Sequence, residues 1–136
     1  MFEVSEGTLS ENPDRALANL QRMVDCDVRI AMDNFGSGLA PLNHLMRMPI
    51  EVVKLDARWT ASLSGAGRQR ALVESLVHIC RASQVQLLAH GIESQAHLRI
   101  LQELGCELGQ GYFLAPPIDP LQAQYLAAHC HTPTGA

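Results

Sequence analysis

Five polar or charged residues, Glu3, Asp33, Lys54, His90 and Gln110, each close a short apolar run in this sequence. Their side chains are of the kind that handles phosphate esters. Carboxylates hold divalent ions, a lysine neutralises a phosphoryl oxygen, and an imidazole moves a proton. In α/β proteins such groups gather at the carboxyl ends of the strands. The recurrence therefore points to a phosphate-ester or metal site.

Placing these residues requires strands alternating with helices. Phe2–Val4, Val28–Met32, Glu51–Leu55, Val85–Ala89 and a run near Gly109–Leu114 read as strands. Between the first two, Asn12 and Pro13 read as helix N-cap and first helical position, with Ala16, Leu17, Leu20, Met23 and Val24 on one face. The glycine-rich Gly36-Ser37-Gly38 reads as a loop and Pro41–Met48 as a short helix. Gly67–Ser83 is the strongest helix, with Leu72, Leu76, Ile79 and Cys80 expected on its buried face. Ser94 caps a helix carrying Leu98, Leu101 and Leu104, with Gly105 at C′, and Asp119-Pro120 opens a last helix through about Ala128. The strands are continuous apolar runs, which is the pattern of a parallel sheet covered by helices. About five βα units make a partial (β/α)8 barrel of the TIM type, since a whole one takes about 250 residues. Residues 1–128 are expected to form this unit and 129–136 a flexible tail.

With 47% hydrophobic and 18% charged residues, the 136-residue chain has the make-up of one globular domain. Its net charge of −4 argues against a nucleic-acid polymer as partner. Cys26, Cys80, Cys106 and Cys130 show no CxxC spacing, and no apolar run is long enough to span a bilayer. Reduced thiols and a cytoplasmic setting are the expectation.

Five ordered segments carry a resemblance: Glu3-Val4-Ser5-Glu6, Asp33-Asn34-Phe35-Gly36-Ser37-Gly38, Lys54-Leu55-Asp56, Ala89-His90-Gly91-Ile92-Glu93 and Gln110-Gly111-Tyr112. Together they resemble the successive motifs of the EAL family, the cyclic-di-GMP phosphodiesterase domains. The match runs through almost the whole chain. It implies the C-terminal part of a (β/α)8 barrel, with the family's Glu-Ala-Leu motif and an asparagine metal ligand falling outside these residues.

The resemblance also implies roles. Glu3 and Asp33 would be ligands to Mg²⁺ or Mn²⁺, hard ions suited to oxygen donors. The position of Asn34 normally bears a second carboxylate for the other metal and the attacking water. Lys54 would stand by the phosphate as a cation, Glu6 would brace the loop containing Gly36 and Gly38, and Glu93 and Gln110 would support the site. Two departures cut against turnover. Asn34 replaces an aspartate, and its amide neither cancels positive charge nor accepts a proton from water. His90 replaces a glutamate; imidazole acts as a base but prefers softer ions. Pro116 stands where a basic residue is usual, removing a charge from the rim.

Each residue also has a plain structural reading. Glu3 would be a frayed terminal carboxylate, Glu6 a turn cap, Asp33 and Asn34 an Asx-turn, Lys54 a solvated strand end, and His90 and Gln110 hydrogen-bonded loop and structural groups. His129-Cys130-His131 has the composition of a chelator but lies in the polar tail. Three functional readings follow: a phosphodiesterase whose Glu-Ala-Leu segment comes from another chain, a degenerate EAL module engaging cyclic-di-GMP or a protein partner, or a truncated unit that self-associates. The departures favour the second and third. Self-association is expected because an interrupted barrel leaves a sheet edge open and exposes interior positions, taken to include Ile30, Met32 and Leu87.

Overall fold

The computed structural model describes residues 1–36, 43–63 and 67–129. Five strands form one parallel sheet in the order β1-β2-β3-β4-β5: Phe2–Ser5, Ile30–Phe35, Val52–Leu55, Gln86–His90 and Leu108–Gln110. The helices between and after them are α1 (Glu6–Glu11), α2 (Pro13–Val24), α3 (Asn43–Arg47), α4 (Ala57–Ala61), α5 (Arg68–Ala82), α6 (Gln95–Glu103) and α7 (Pro120–His129). Chain order equals spatial order, so the sheet is the open βα progression of a partial TIM-type barrel.

Several helix ends lie where the capping chemistry places them. Asn12 Oδ1 accepts from Arg15 N at 3.2 Å and Ser94 Oγ accepts from His97 N at 3.2 Å. Gly105 takes φ +79° just past α6, and Asp119 Oδ1 accepts from the Leu121 and Gln122 amides, each at 2.9 Å. Two short helices, α1 and α4, go beyond the expected set. Strand β2 starts two residues later than its apolar run and continues through the Asp33-Asn34 motif to Phe35. Helix α7 extends through His129, whose ring stacks on Tyr125 with centroids 4.1 Å apart. Cys130, His131 and the rest of the expected tail lie outside the described residues, as do Ser37, Gly38 and the start of the Pro41–Met48 helix.

Paired residues on adjacent strands share a face, so the register sorts the sheet into two surfaces. Val4, Met32, Val53, Leu87 and Gly109 fall on the helix side, whereas Glu3, Asp33, Lys54, His90 and Gln110 fall on the opposite side. The core forms between the first surface and Leu9, Leu20, Val73, Val77, Cys80 and Leu101 from the helices. Ile30, Met32 and Leu87 are therefore not exposed barrel-interior positions: they lie under the helices at 0%, 0% and 7% exposure. A shift of one residue inverts every side chain in a strand, and a run that is apolar throughout gives no alternation to fix the face. In α5 the buried row is Val73, Val77 and Cys80, with Leu76 partly buried and Leu72 exposed. Cys80 is buried as expected, whereas Val73 and Val77 take the places expected for Leu72 and Leu76, each one residue, or about 100°, around the helix.

Thr60 in α4 is fully buried, and its Oγ1 has no hydrogen-bond partner among the described residues. A buried hydroxyl without a partner costs more than a methyl group of the same shape. Thr60→Val is expected to stabilise the fold by about 1 kcal/mol, a rise in Tm of roughly 3 °C by calorimetry.

Candidate functional site

The carboxyl end of β2 carries the most distorted backbone of the sheet. Met32 pairs with Val53 and Phe35 with Leu55, so three steps along β2 match two along β3. The extra residue is a β-bulge, a device that re-aims side chains at a strand end. Within it Asn34 takes φ +56°, a left-handed conformation that asparagine tolerates better than most residues. Its Nδ2 donates to Asp33 Oδ2 at 2.9 Å. Downstream, Phe35 is buried and its carbonyl accepts from Asp56 N at 3.1 Å.

Lys54, the only lysine in the chain, rises from β3 between the two carboxylates. Its Nζ donates to Glu3 Oε2 at 2.9 Å and lies 3.5 Å from Asp33 Oδ1, with 12% of its side chain exposed. Burial is the largest single influence on this amine and works to lower its pKa. The hydrogen bond to Glu3 and the charges of Asp33 and Glu3 together outweigh it and hold the pKa above its ordinary 10.5. A raised lysine pKa adds stability that is complete below the unfolded value and is lost as pH climbs through the folded one. The stabilising contact is thus expected to persist across neutral pH and to fail only above 10.5. Since no other lysine competes, side-chain amine NMR of Lys54 should show a titration midpoint above that value, returning toward it in Glu3→Gln.

The turn after β2 is held from two sides. Gly36 N donates to Glu6 Oε2 at 2.9 Å, and Trp59 Nε1 donates to Gly36 O at 3.2 Å. Glu6, at the start of α1, is itself buried. Gly38 lies outside the described residues. Sequence reasoning passed over Trp59, although the only tryptophan of the chain, three residues beyond Asp56, was a signal available to it. It also missed how Asp56 begins α4: its Oδ1 accepts from Arg58 N at 2.8 Å and Nε at 3.0 Å, and Oδ2 accepts from Nη2 at 2.9 Å. Hydrogen bonding from Arg58 holds the Asp56 carboxyl below its ordinary pKa, with a smaller contribution from nearby His90.

His90, Glu93 and Gln110 border a cavity of about 600 Å³ at the ends of β4 and β5 that Tyr112 and Pro116 also line. The loops there are tightly interlocked: Ile92 N donates to Gln110 O at 3.1 Å, and Phe113 N donates to Ile92 O at 3.0 Å. Cys80 and Cys106 lie elsewhere, around a cavity bordered by Val85 and Leu87, and burial pushes the Cys80 thiol up to about 11. The described cysteines are free thiols.

The site thus has one part built on the Glu3–Lys54–Asp33 ion pairs and another in which His90, Glu93 and Gln110 border the cavity. Among the described residues no three carboxylate, imidazole or thiolate groups come together to hold a metal ion. Glu3 and Asp33 share one ammonium, and the Asn34 amide donates into Asp33. This donor set does not by itself fit a divalent ion.

The EAL domain pattern matches residues 1–117. The cyclic di-GMP phosphodiesterase RocR of Pseudomonas aeruginosa is 35% identical over 118 residues, covering 87% of this chain and 30% of RocR. The solved PaMucR phosphodiesterase in complex with c-di-GMP superposes with a TM-score of 0.82 at 30% identity, over 89% of this chain and 49% of that one. The EAL domain of Mycobacterium smegmatis DcpA superposes with a TM-score of 0.85 at 27% identity, over 96% and 59%. With a parallel βα sheet and polar groups at its strand ends, the chain belongs to the EAL domain family. It spans about 30% of the length of RocR and about half of the PaMucR structure. No described helix is long and apolar enough to cross a membrane.

Proposed function

We propose that this chain supplies one side of a cyclic-di-GMP site and that its present residues engage the dinucleotide without hydrolysing it. The observation that carries this reading is the Lys54 ammonium between Glu3 and Asp33, beside an Asn34 amide that donates into Asp33. A cation at the strand ends suits a phosphodiester oxygen. An amide at position 34 withholds the negative charge that a second metal and a hydroxide nucleophile require. His90 replaces a further carboxylate with an imidazole beside the cavity bordered by Tyr112. RocR and PaMucR are described as phosphodiesterases, and the latter's complex with c-di-GMP supports the ligand class.

In this reading Glu3 and Asp33 supply only part of a Mg²⁺ or Mn²⁺ site, so binding of the ion by this chain is weak, and Glu6, Gly36, Gly38, Glu93 and Gln110 shape the site. The open edges at β1 and β5, together with exposed Leu121 and Tyr125 on α7, favour self-association or a protein partner. Calorimetric titration of the chain with cyclic-di-GMP in the presence of Mn²⁺ tests the reading. Binding weaker than about 10 μM is expected, since losing one charged ligand of a phosphate-bound metal forfeits about 2 kcal/mol or more. Submicromolar binding would show instead that these residues form a complete, metal-competent pocket.

A further inference from the structure

We propose that Trp59 is a positioning residue that, with Glu6, clamps the Gly36 peptide from two sides and so fixes the β2 bulge presenting Asp33 and Asn34. The inference deepens the proposed function and rests on it only for the ligand toward which those two side chains are aimed.

The main chain of Gly36 has one donor and one acceptor, and both are taken by side chains. Its N–H goes to Glu6 Oε2 at the head of α1, and its carbonyl accepts the Trp59 indole N–H from α4. These helices follow β1 and β3, the strands on either side of β2. The contact is close: a Cβ built on Gly36 would lie 2.5 Å from Trp59 Nε1, and the residue takes φ +84°. Glycine is needed there on both counts.

The strand ladder alone does not determine the geometry of the bulge. Pairing with β3 is regular through Met32 and resumes at Phe35, leaving Asp33 and Asn34 between. The upstream end is fixed by the ladder. The downstream end is fixed by the Phe35 carbonyl on Asp56 N and by the two side chains on Gly36. Left-handed backbone at a non-glycine residue persists only where the surroundings over-determine it, and Asn34, at φ +56°, lies within this bracket. Removing the indole N–H leaves the Gly36 carbonyl unpaired and loosens the downstream end, while the ring still packs against the core. Trp59 thus acts on the site through the backbone, without touching a ligand.

Amide hydrogen exchange without ligand tests the clamp whether or not cyclic-di-GMP binds. In the wild type the single indole N–H should exchange about tenfold or more slowly than free indole, as a hydrogen-bonded, part-buried donor does. In Trp59→Phe, which keeps an aromatic ring and loses the donor, the Gly36 amide should exchange about tenfold faster while the Val53 and Leu87 amides keep their protection. Unchanged Gly36 protection, or equal acceleration at all three amides, would overturn the proposal. So would a freely exchanging indole N–H in the wild type, a result that stands even if the variant fails to fold.

Discussion

The 136-residue chain incubated with cyclic-di-GMP and Mn²⁺ is expected to release no linear dinucleotide, and Asn34→Asp combined with His90→Glu is expected to leave that result unchanged. The first substitution restores a carboxylate beside Asp33, exchanging an amide donor that now satisfies Asp33 Oδ2 for a like charge. Without the ligands of the Glu-Ala-Leu segment to complete a metal site, the new aspartate gains repulsion from Asp33 and little metal affinity. The second puts a carboxylate on β4, where a metal and its water would still lack the ligands that the Glu-Ala-Leu segment supplies. Groups that act as one catalytic unit are strongly non-additive, so partial repair restores little. Joining the doubly substituted chain behind a segment carrying the Glu-Ala-Leu motif should bring turnover back. Product formation by the unmodified chain would mean that His90 serves as the base or that a second copy completes the site.

Gly111→Ala is expected to be the most damaging single small substitution. A Cβ at this position would fall on the main-chain nitrogen, carbon and oxygen of Ile92, with no flexible side chain to yield. Both Ile92 main-chain groups are committed, the N–H to Gln110 O and the carbonyl to Phe113 N. Relief therefore means parting the β4 and β5 loops and breaking those bonds. Overpacking of this kind costs about 3 kcal/mol, or roughly 10 °C in Tm for a chain of this size. The displaced loop carries Gln110 and Tyr112, so the wall of the cavity beside His90 should move as well. Gly7→Ala is the control, because a Cβ there meets nothing within 4 Å and α1 gains a better helix former. Urea denaturation of the two variants should separate a large loss from none.

The alternation of strand and helix was legible because short apolar runs ended on polar residues and because Asn12-Pro13, Ser94, Gly105 and Asp119-Pro120 carry capping chemistry readable without tertiary context. The facing of the strands was not. Ile30, Ala31 and Met32 are all buried, so no alternation marked which side of β2 met the helices. The buried row of α5 was ambiguous for a related reason: Leu72 and Leu76 compete with Val73 and Val77 for the stripe that ends at Cys80. Strand-end chemistry pointed to Glu3, Asp33 and Lys54, but their meeting depends on the β1-β2-β3 register. The Asn34 bulge leaves no local signal, and the single tryptophan marks Trp59 without showing that it reaches Gly36. Both arise where three separate segments converge, beyond the reach of propensity or spacing.

The central claim is that these strand ends recognise cyclic-di-GMP while Asn34 and His90 withhold hydrolysis. Its most direct test is a single protein in which the unmodified chain follows a segment bearing the Glu-Ala-Leu motif, assayed for cyclic-di-GMP binding and linear-dinucleotide release beside its Asn34→Asp, His90→Glu counterpart. The account predicts micromolar or tighter binding by both, with release by the unmodified form slower by a factor on the order of 10³, as for loss of catalytic groups acting together. Equal rates of release from the two proteins would contradict it.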